Sequence, residues 1–225
     1  LEENPAYTVR KYPCLNSLNE PLWPARWDYD ALMQRKAEIG SLKFTREYLC
    51  IPISTGTSLF SPEHLENSKH KDLILRLGNR KDKGYKYYVG VDPAISTDGD
   101  YNVIMVLEVD DEKNKSIVHV DRAKNVQFRE NIEKLRLIGK IFQPEAVLYE
   151  TNTFAKAFTQ ELRSVTDMNI KDFNTTRRKK QEIILNLQMN FENKKIHLPY
   201  GDNNSKRMSG MLIEELSMFS ITDTG

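Results

Sequence analysis

The sequence has little cysteine and no long apolar run. Cys14 and Cys50 are its only cysteines, and they lack the close spacing of a metal cluster or a disulfide scaffold. We interpret both as reduced residues of a core. No stretch approaches the roughly 20 apolar residues of a membrane span, and the start shows no charged-then-apolar secretion signal. We therefore expect a soluble, intracellular protein.

The sequence also lacks an excess of charge of either sign. Its 33 Lys and Arg residues face 32 Asp and Glu residues, which gives a net charge of +1 at pH 7. Attraction to phosphate would therefore have to come from local patches. No phosphate-binding Gly-x-x-x-x-Gly-Lys-Ser/Thr loop occurs, and no serine or cysteine nucleophile signature occurs either. The length of 225 residues suits one domain with an appendage.

Residues 1–80 are rich in proline and aromatic residues, and they predict a helical appendage. Helices are expected at 29–39, ended by Gly40, at 43–49, and from Ser61-Pro62 onward. The polar and basic stretch 76–86, which contains two glycines, is typical of a connection between units. We therefore predict an appendage at 1–80 and a second domain at 81–225.

From residue 81 onward, strands and helices alternate. The predicted strands are 87–92, 102–109, 116–120, 146–150 and 170–173. The predicted helices are 128–142, 154–165, 177–192 and 205–219. This order predicts an α/β fold, a mixed sheet flanked by helices.

Two carboxylates end predicted strands, Asp92 and Glu150. Like charges about 4 Å apart repel by about 4 kcal/mol at an effective dielectric near 20, and a divalent cation would remove that cost. Carboxylate oxygens suit Mg²⁺ or Mn²⁺, and two such ions can activate water in phosphodiester hydrolysis. The alternative is that each carboxylate caps a turn or reaches solvent. Asp100, in the following loop, is a further candidate metal ligand, whereas Asp98-Gly99 is an ordinary turn signal.

The first acidic strand carries a resemblance to a known family. Tyr88-Val89-Gly90-Val91-Asp92-Pro93-Ala94, followed by Gly99-Asp100-Tyr101-Asn102-Val103-Ile104, resembles the opening of viral (bacteriophage) large terminase nuclease domains. Residues 146–150 resemble the second acidic strand, and 179–199 the basic helix and the strand after it. Residues 22–49 resemble the segment that joins the packaging ATPase to the nuclease.

This resemblance implies a ribonuclease H-like fold, with Asp92 and Glu150 as metal-binding catalytic acids that cut concatemeric double-stranded DNA during genome packaging. It implies Mg²⁺ or Mn²⁺ in a two-metal site. The implied partners are the packaging ATPase domain of the same polypeptide, the portal protein and the small terminase subunit, in the cytoplasm of the infected host cell. The family's third acid follows the last helix pair, and we expect it beyond Gly225.

The helix predicted at 177–192 begins with four cations, Arg177-Arg178-Lys179-Lys180. Cations at a helix N-terminus oppose the helix dipole by roughly 0.3–1 kcal/mol each, so we expect DNA phosphate nearby. The alternative is a solvated basic turn with Glu182 as a partner. A second patch is interpreted as a solvated linker: Arg76, Arg80, Lys81, Lys83 and Lys86. The four histidines show no metal-ligand spacing and are expected on the surface or in packing: His64, His70, His119 and His197.

Two other functions stay open at this point. The same fold would also serve a Holliday-junction resolvase or a transposase-like nuclease, although the terminase-like segment near the N-terminus disfavours this. A non-catalytic module that grips DNA or docks on the motor is the other alternative, because no third acid is identified.

Overall fold

The computed structural model describes residues 8–52, 58–78, 84–93, 101–150 and 155–220. In this part of the chain, no helix is long and apolar enough to cross a membrane. The helices are α1 (Tyr29–Ile39), α2 (Ser41–Glu47), α3 (Pro62–Asn67), α4 (Phe128–Phe142), α5 (Ala155–Val165), α6 (Arg177–Glu192) and α7 (Asn203–Met218). The strands are β1 (Lys69–His70), β2 (Tyr85–Asp92), β3 (Tyr101–Asp110), β4 (Lys115–Lys124), β5 (Ala146–Glu150), β6 (Ile170–Phe173) and β7 (Ile196–Pro199).

The described strands form one sheet in the order β1-β7-β4-β3-β2-β5-β6. Strands β2, β3 and β4 are antiparallel neighbours, and the other pairings are parallel. The prediction of a mixed sheet flanked by helices is confirmed. Strand β1 was not predicted, because two residues are too few to show an alternating pattern.

One face of the sheet is covered by α4 and α5. Alternate residues of β2 and β5, such as Val89 and Tyr149, point into this core because side chains in a strand alternate between faces. Helix α4 meets them with a stripe of apolar side chains at helical spacing, all at most 6% exposed: Ile132, Leu135, Ile138 and Phe142.

The other face carries a second core beneath α6 and α7. Ile184 and Phe191 of α6 and Leu216 of α7 belong to it. The stretch 58–78 also contributes, through Leu59 and Phe60 and through the pairing of β1 with β7. This core covers β3, β4 and β7, and at the ends of β2 and β5 it gives way to a groove.

A third, small cluster surrounds Leu32 of α1 and Phe44 of α2. It adjoins the end of α6, where the Ser41 backbone N–H donates to the Glu192 carboxylate at 2.8 Å. Cys14 packs against this cluster as a half-buried free thiol, which agrees with its interpretation as a reduced core residue.

The interpretation of Arg76 as part of a solvated linker is wrong. Its guanidinium lies 2.5 Å from a carboxylate oxygen of Glu108, which is only 3% exposed and also accepts from the Tyr87 hydroxyl. A buried carboxylate requires such a partner, because an uncompensated charge in a core is costly. Arg80, Lys81 and Lys83 lie outside the described residues.

Candidate active site

The two predicted acids lie side by side on the sheet. Strands β2 and β5 are parallel neighbours in which Val91 pairs with Tyr149, and one step further along each strand stand Asp92 and Glu150. Neighbouring strands are about 4.8 Å apart. Because Val91 and Tyr149 are buried against α4 and α5, alternation puts both carboxylates on the opposite face.

These carboxylates line one groove of about 260 Å³, which we call the acid groove. Its lining residues come from β2, β3, β5 and β6: Gly90, Val91, Asp92, Val103, Met105, Leu148, Glu150 and Phe173. Its floor is open to solvent, since Gly90 is exposed and Leu148 is 41% exposed. A ligand can therefore reach both carboxylates without displacing a core side chain.

The turn before α6 contacts the acid groove directly. The Thr175 hydroxyl donates to Glu150 Oε1 at 2.5 Å, and the next residue, Thr176, caps α6 by accepting from the Lys179 backbone N–H. The Lys179 ammonium lies 5.6 Å from the centre of the Phe173 ring. The basic first turn of α6 is thereby held beside the acidic pair.

The neighbouring phenol is not a proton acceptor for the site. Burial, with a smaller contribution from the Asp92 carboxylate, raises the pKa of Tyr149. The phenol therefore stays protonated at neutral pH, and it lies on the opposite face of the sheet from the carboxylates.

The donor set fits a hard divalent cation. Mg²⁺ is commonly held by one or two carboxylates together with water and substrate phosphate, and Asp92 and Glu150 offer such a pair on an open surface. Across the described ranges, no group of three or more His, Cys, Asp and Glu side chains is placed to hold a metal ion. Asp100 and Asp98 lie outside those ranges, so the prediction for Asp100 stays a prediction.

The four cations that begin α6 are all exposed. Arg178 pairs with Glu182 at 3.0 Å, the partner expected for a solvated turn. The Lys179 ammonium instead lies near the ring of Phe173, which lines the acid groove. Their DNA-binding role stays a prediction. Three of the four histidines make ring contacts: the ring centres of His70 and His197 lie 4.0 Å apart, and those of His119 and Phe142 lie 6.5 Å apart.

Three features of this region escaped the sequence analysis. Thr175 reads as a capping residue in the sequence, and only the fold brings its hydroxyl to Glu150. Gly90 gives a bare floor to the acid groove. Arg122 and Tyr101 stack beside it, with 3.5 Å between the guanidinium carbon and the ring centre. In the sequence, they show only the alternation of side chains expected in a strand.

No protein-family model matches the sequence, and no curated protein matches it. Solved structures do match. The large terminase nuclease from thermophilic phage G20c with bound cobalt superposes with a TM-score of 0.52 at 20% identity, over 75% of this chain and 82% of that chain. The same nuclease with bound magnesium gives a TM-score of 0.51 at 19% identity, over 74% and 81% of the two chains. The zinc-bound form of that nuclease gives a TM-score of 0.51 at 19% identity, over 74% of this chain and 91% of that chain.

At these identities the likeness concerns the fold. The chain has the ribonuclease H-like α/β fold of phage large terminase nuclease domains. The fold expected from the resemblance is therefore confirmed.

Proposed function

We propose that this chain is a divalent-metal-dependent DNA endonuclease domain of a viral packaging terminase, which cuts concatemeric double-stranded DNA. The observation that carries the proposal is the shared groove of Asp92 and Glu150, at the ends of adjacent parallel strands. The terminase nuclease fold supports it, and so do the relatives with bound magnesium and cobalt.

In this proposal, Asp92 and Glu150 hold Mg²⁺ or Mn²⁺, in a site with room for two ions. When bound, such ions lower the pKa of water and stabilise the leaving oxygen in phosphodiester hydrolysis. The Thr175 hydroxyl fixes one oxygen of Glu150 and so orients the other toward the groove. The exposed floor admits the DNA backbone, and the cations at the start of α6 attract it: Arg177, Arg178, Lys179 and Lys180.

The partners follow from the same proposal. They are double-stranded DNA, the packaging ATPase domain of the same polypeptide, the portal protein and the small terminase subunit, in the cytoplasm of the infected cell. The appendage at 1–80 would lead from the ATPase domain to the nuclease domain at 81–225.

The test is Asp92→Ala in two assays, Mn²⁺ titration by calorimetry and plasmid nicking with Mn²⁺. We expect the variant to lose measurable Mn²⁺ binding and detectable nicking, because a carboxylate ligand is removed. Its melting temperature should be unchanged, because Asp92 is exposed. Asp172→Ala is the matched control, since this acid lies on the neighbouring edge strand and pairs with Arg163.

The proposal fails if Asp92→Ala binds Mn²⁺ and nicks as well as the parent protein. DNA binding without Mn²⁺ binding in the parent would instead favour a non-catalytic DNA-gripping module. A strong preference for four-way junctions over linear duplex would favour a resolvase.

A further inference from the structure

Arg122 lies in the same cross-strand row as the two acids. Arg122 of β4 pairs with Val103 of β3, and Val103 pairs on its other side with Asp92 of β2. Paired residues in neighbouring strands share a face of the sheet, so the guanidinium and the carboxylates project to the same side. The row separates Arg122 from Asp92 by two strand spacings, about 10 Å.

The Arg122 guanidinium stacks on an aromatic ring. Its central carbon lies 3.5 Å from the centre of the Tyr101 ring, and the Lys124 ammonium lies 4.7 Å from the same centre. Tyr101 is 38% exposed, so this stack is on the surface and not in a core. Stacking restrains the planar guanidinium, and its fork of donors matches the geometry of a phosphate.

In the structure, one donor nitrogen of the guanidinium already contacts a carboxylate. Glu215 Oε1 of α7 lies 3.4 Å from Arg122 Nη2, a long contact in which the glutamate side chain is 64% exposed. The Arg122 side chain is only 22% exposed, so Glu215 is the exposed partner of the pair. A long contact to an exposed carboxylate is weak, so an incoming phosphate can displace the carboxylate. Arg122, Glu215 and Asp92 all line one pocket of about 250 Å³ beside the acid groove, so the exchange would take place next to the acids.

We propose that Arg122 is a phosphate-binding residue that positions a DNA strand across the acid groove, and that Glu215 is the anion it exchanges for phosphate. The proposal rests on the proposed function in taking DNA as the ligand. It adds a binding site on β4, on the opposite side of the acids from the basic turn of α6. The strand would then be held by cations on both sides of Asp92 and Glu150.

The experiment measures the binding of a fluorescein-labelled DNA duplex by anisotropy in EDTA, over a range of salt concentrations. We expect Arg122→Gln to weaken binding at least fivefold and to reduce the slope of log K against log salt by about 0.9, the value for one phosphate contact. Glu215→Gln should strengthen binding two- to fivefold, and the double variant should bind like Arg122→Gln. Arg122→Lys keeps the charge but not the fork, and should recover only part of the affinity.

Arg136→Gln is the control, because it removes an arginine that pairs with Glu133 on α4, on the other face of the sheet. The phosphate role of Arg122 is overturned if Arg122→Gln changes affinity and slope no more than this control. The exchange is overturned if Glu215→Gln leaves affinity unchanged. Glu215 is exposed, so this variant tests the pair even if Arg122→Gln unfolds.

Failure of the proposed function gives a different pattern. Because binding is measured in EDTA, a chain that neither binds Mn²⁺ nor nicks DNA can still show the Arg122 effect. Conversely, Arg122→Gln should bind Mn²⁺ normally in the absence of DNA, whereas Asp92→Ala should not.

Discussion

At the scale of single residues, the candidate site depends on how Glu150 is held. The Thr175 hydroxyl donates to one of its oxygens from the turn before α6. Groups that hydrogen-bond a metal-binding carboxylate fix its orientation, and their loss typically lowers metal affinity about 10- to 100-fold. In the proposed metal site, Thr175 would therefore be a positioning residue, whose effect passes through Glu150.

We expect Thr175→Val to lower Mn²⁺ affinity about tenfold, measured by calorimetry. The valine keeps the shape of threonine but removes the donor. Thr175→Ser should recover most of the affinity, because it restores the hydroxyl. Equal affinity for the valine and serine variants would show that the hydrogen bond has no part in metal binding.

Gly90 offers a second residue-scale prediction. A Cβ built on it meets nothing within 4 Å, so packing does not require glycine there. Glycine within a strand often marks a place where a ligand approaches the backbone. We expect Gly90→Val to keep the melting temperature and Mn²⁺ binding but to slow plasmid nicking at least tenfold, because its side chain fills the acid groove. Normal nicking by this variant would mean that DNA does not approach the floor.

At the scale of elements, the turn between β7 and α7 is closely packed. A Cβ on Gly201 would lie 2.7 Å from the Lys71 carbonyl oxygen and 2.9 Å from that of Leu73. Backbone atoms cannot give way as side chains do. The turn therefore fixes the position of the stretch that follows β1.

We expect Gly201→Ala to lower the free energy of unfolding by about 1–3 kcal/mol, measured by urea denaturation. Gly139→Ala is the comparison, because a Cβ there meets only the flexible Met168 side chain and alanine favours the helix by about 1 kcal/mol. The free energy of unfolding should be clearly lower for Gly201→Ala than for Gly139→Ala. Equal values would show that the backbone contacts of Gly201 do not make its replacement more costly.

At the scale of the whole molecule, half-buried histidines make stability depend on pH. Burial lowers the pKa of His119 against the opposing effect of Asp121, and burial followed by the charge of His70 lowers the pKa of His197. The unfolded chain therefore takes up protons below about pH 6.5 that the folded chain resists. The contribution of these two histidines to the free energy of unfolding is complete above that pH. It is lost as the pH falls through their folded pKa values.

We expect the melting temperature to fall between pH 7.5 and pH 5.5, and His119→Gln to show a smaller fall than the parent protein. An equal fall in His119→Gln and the parent would assign the pH dependence to other groups. Calorimetry or circular dichroism in matched buffers gives the measurement.

Much of the fold was predicted from the sequence because local patterns decide it. The bounds of α4, α6, β5 and β6 agree with the prediction, since their apolar residues recur with helical or alternating period. Helix α2 begins two residues earlier than predicted, where the Glu192 carboxylate accepts from the Ser41 backbone N–H. That cap comes from α6, distant in sequence, and no local signal carries it.

The sequence by itself determined which side chains carry the candidate chemistry: Asp92 and Glu150 end strands, and cations begin α6. Only the tertiary structure decided that the two acids share one groove, because strand order and register are set by long-range pairing of β2 with β5. The same is true of Thr175 and Arg122, which reach the site through contacts across the sheet that sequence spacing does not encode.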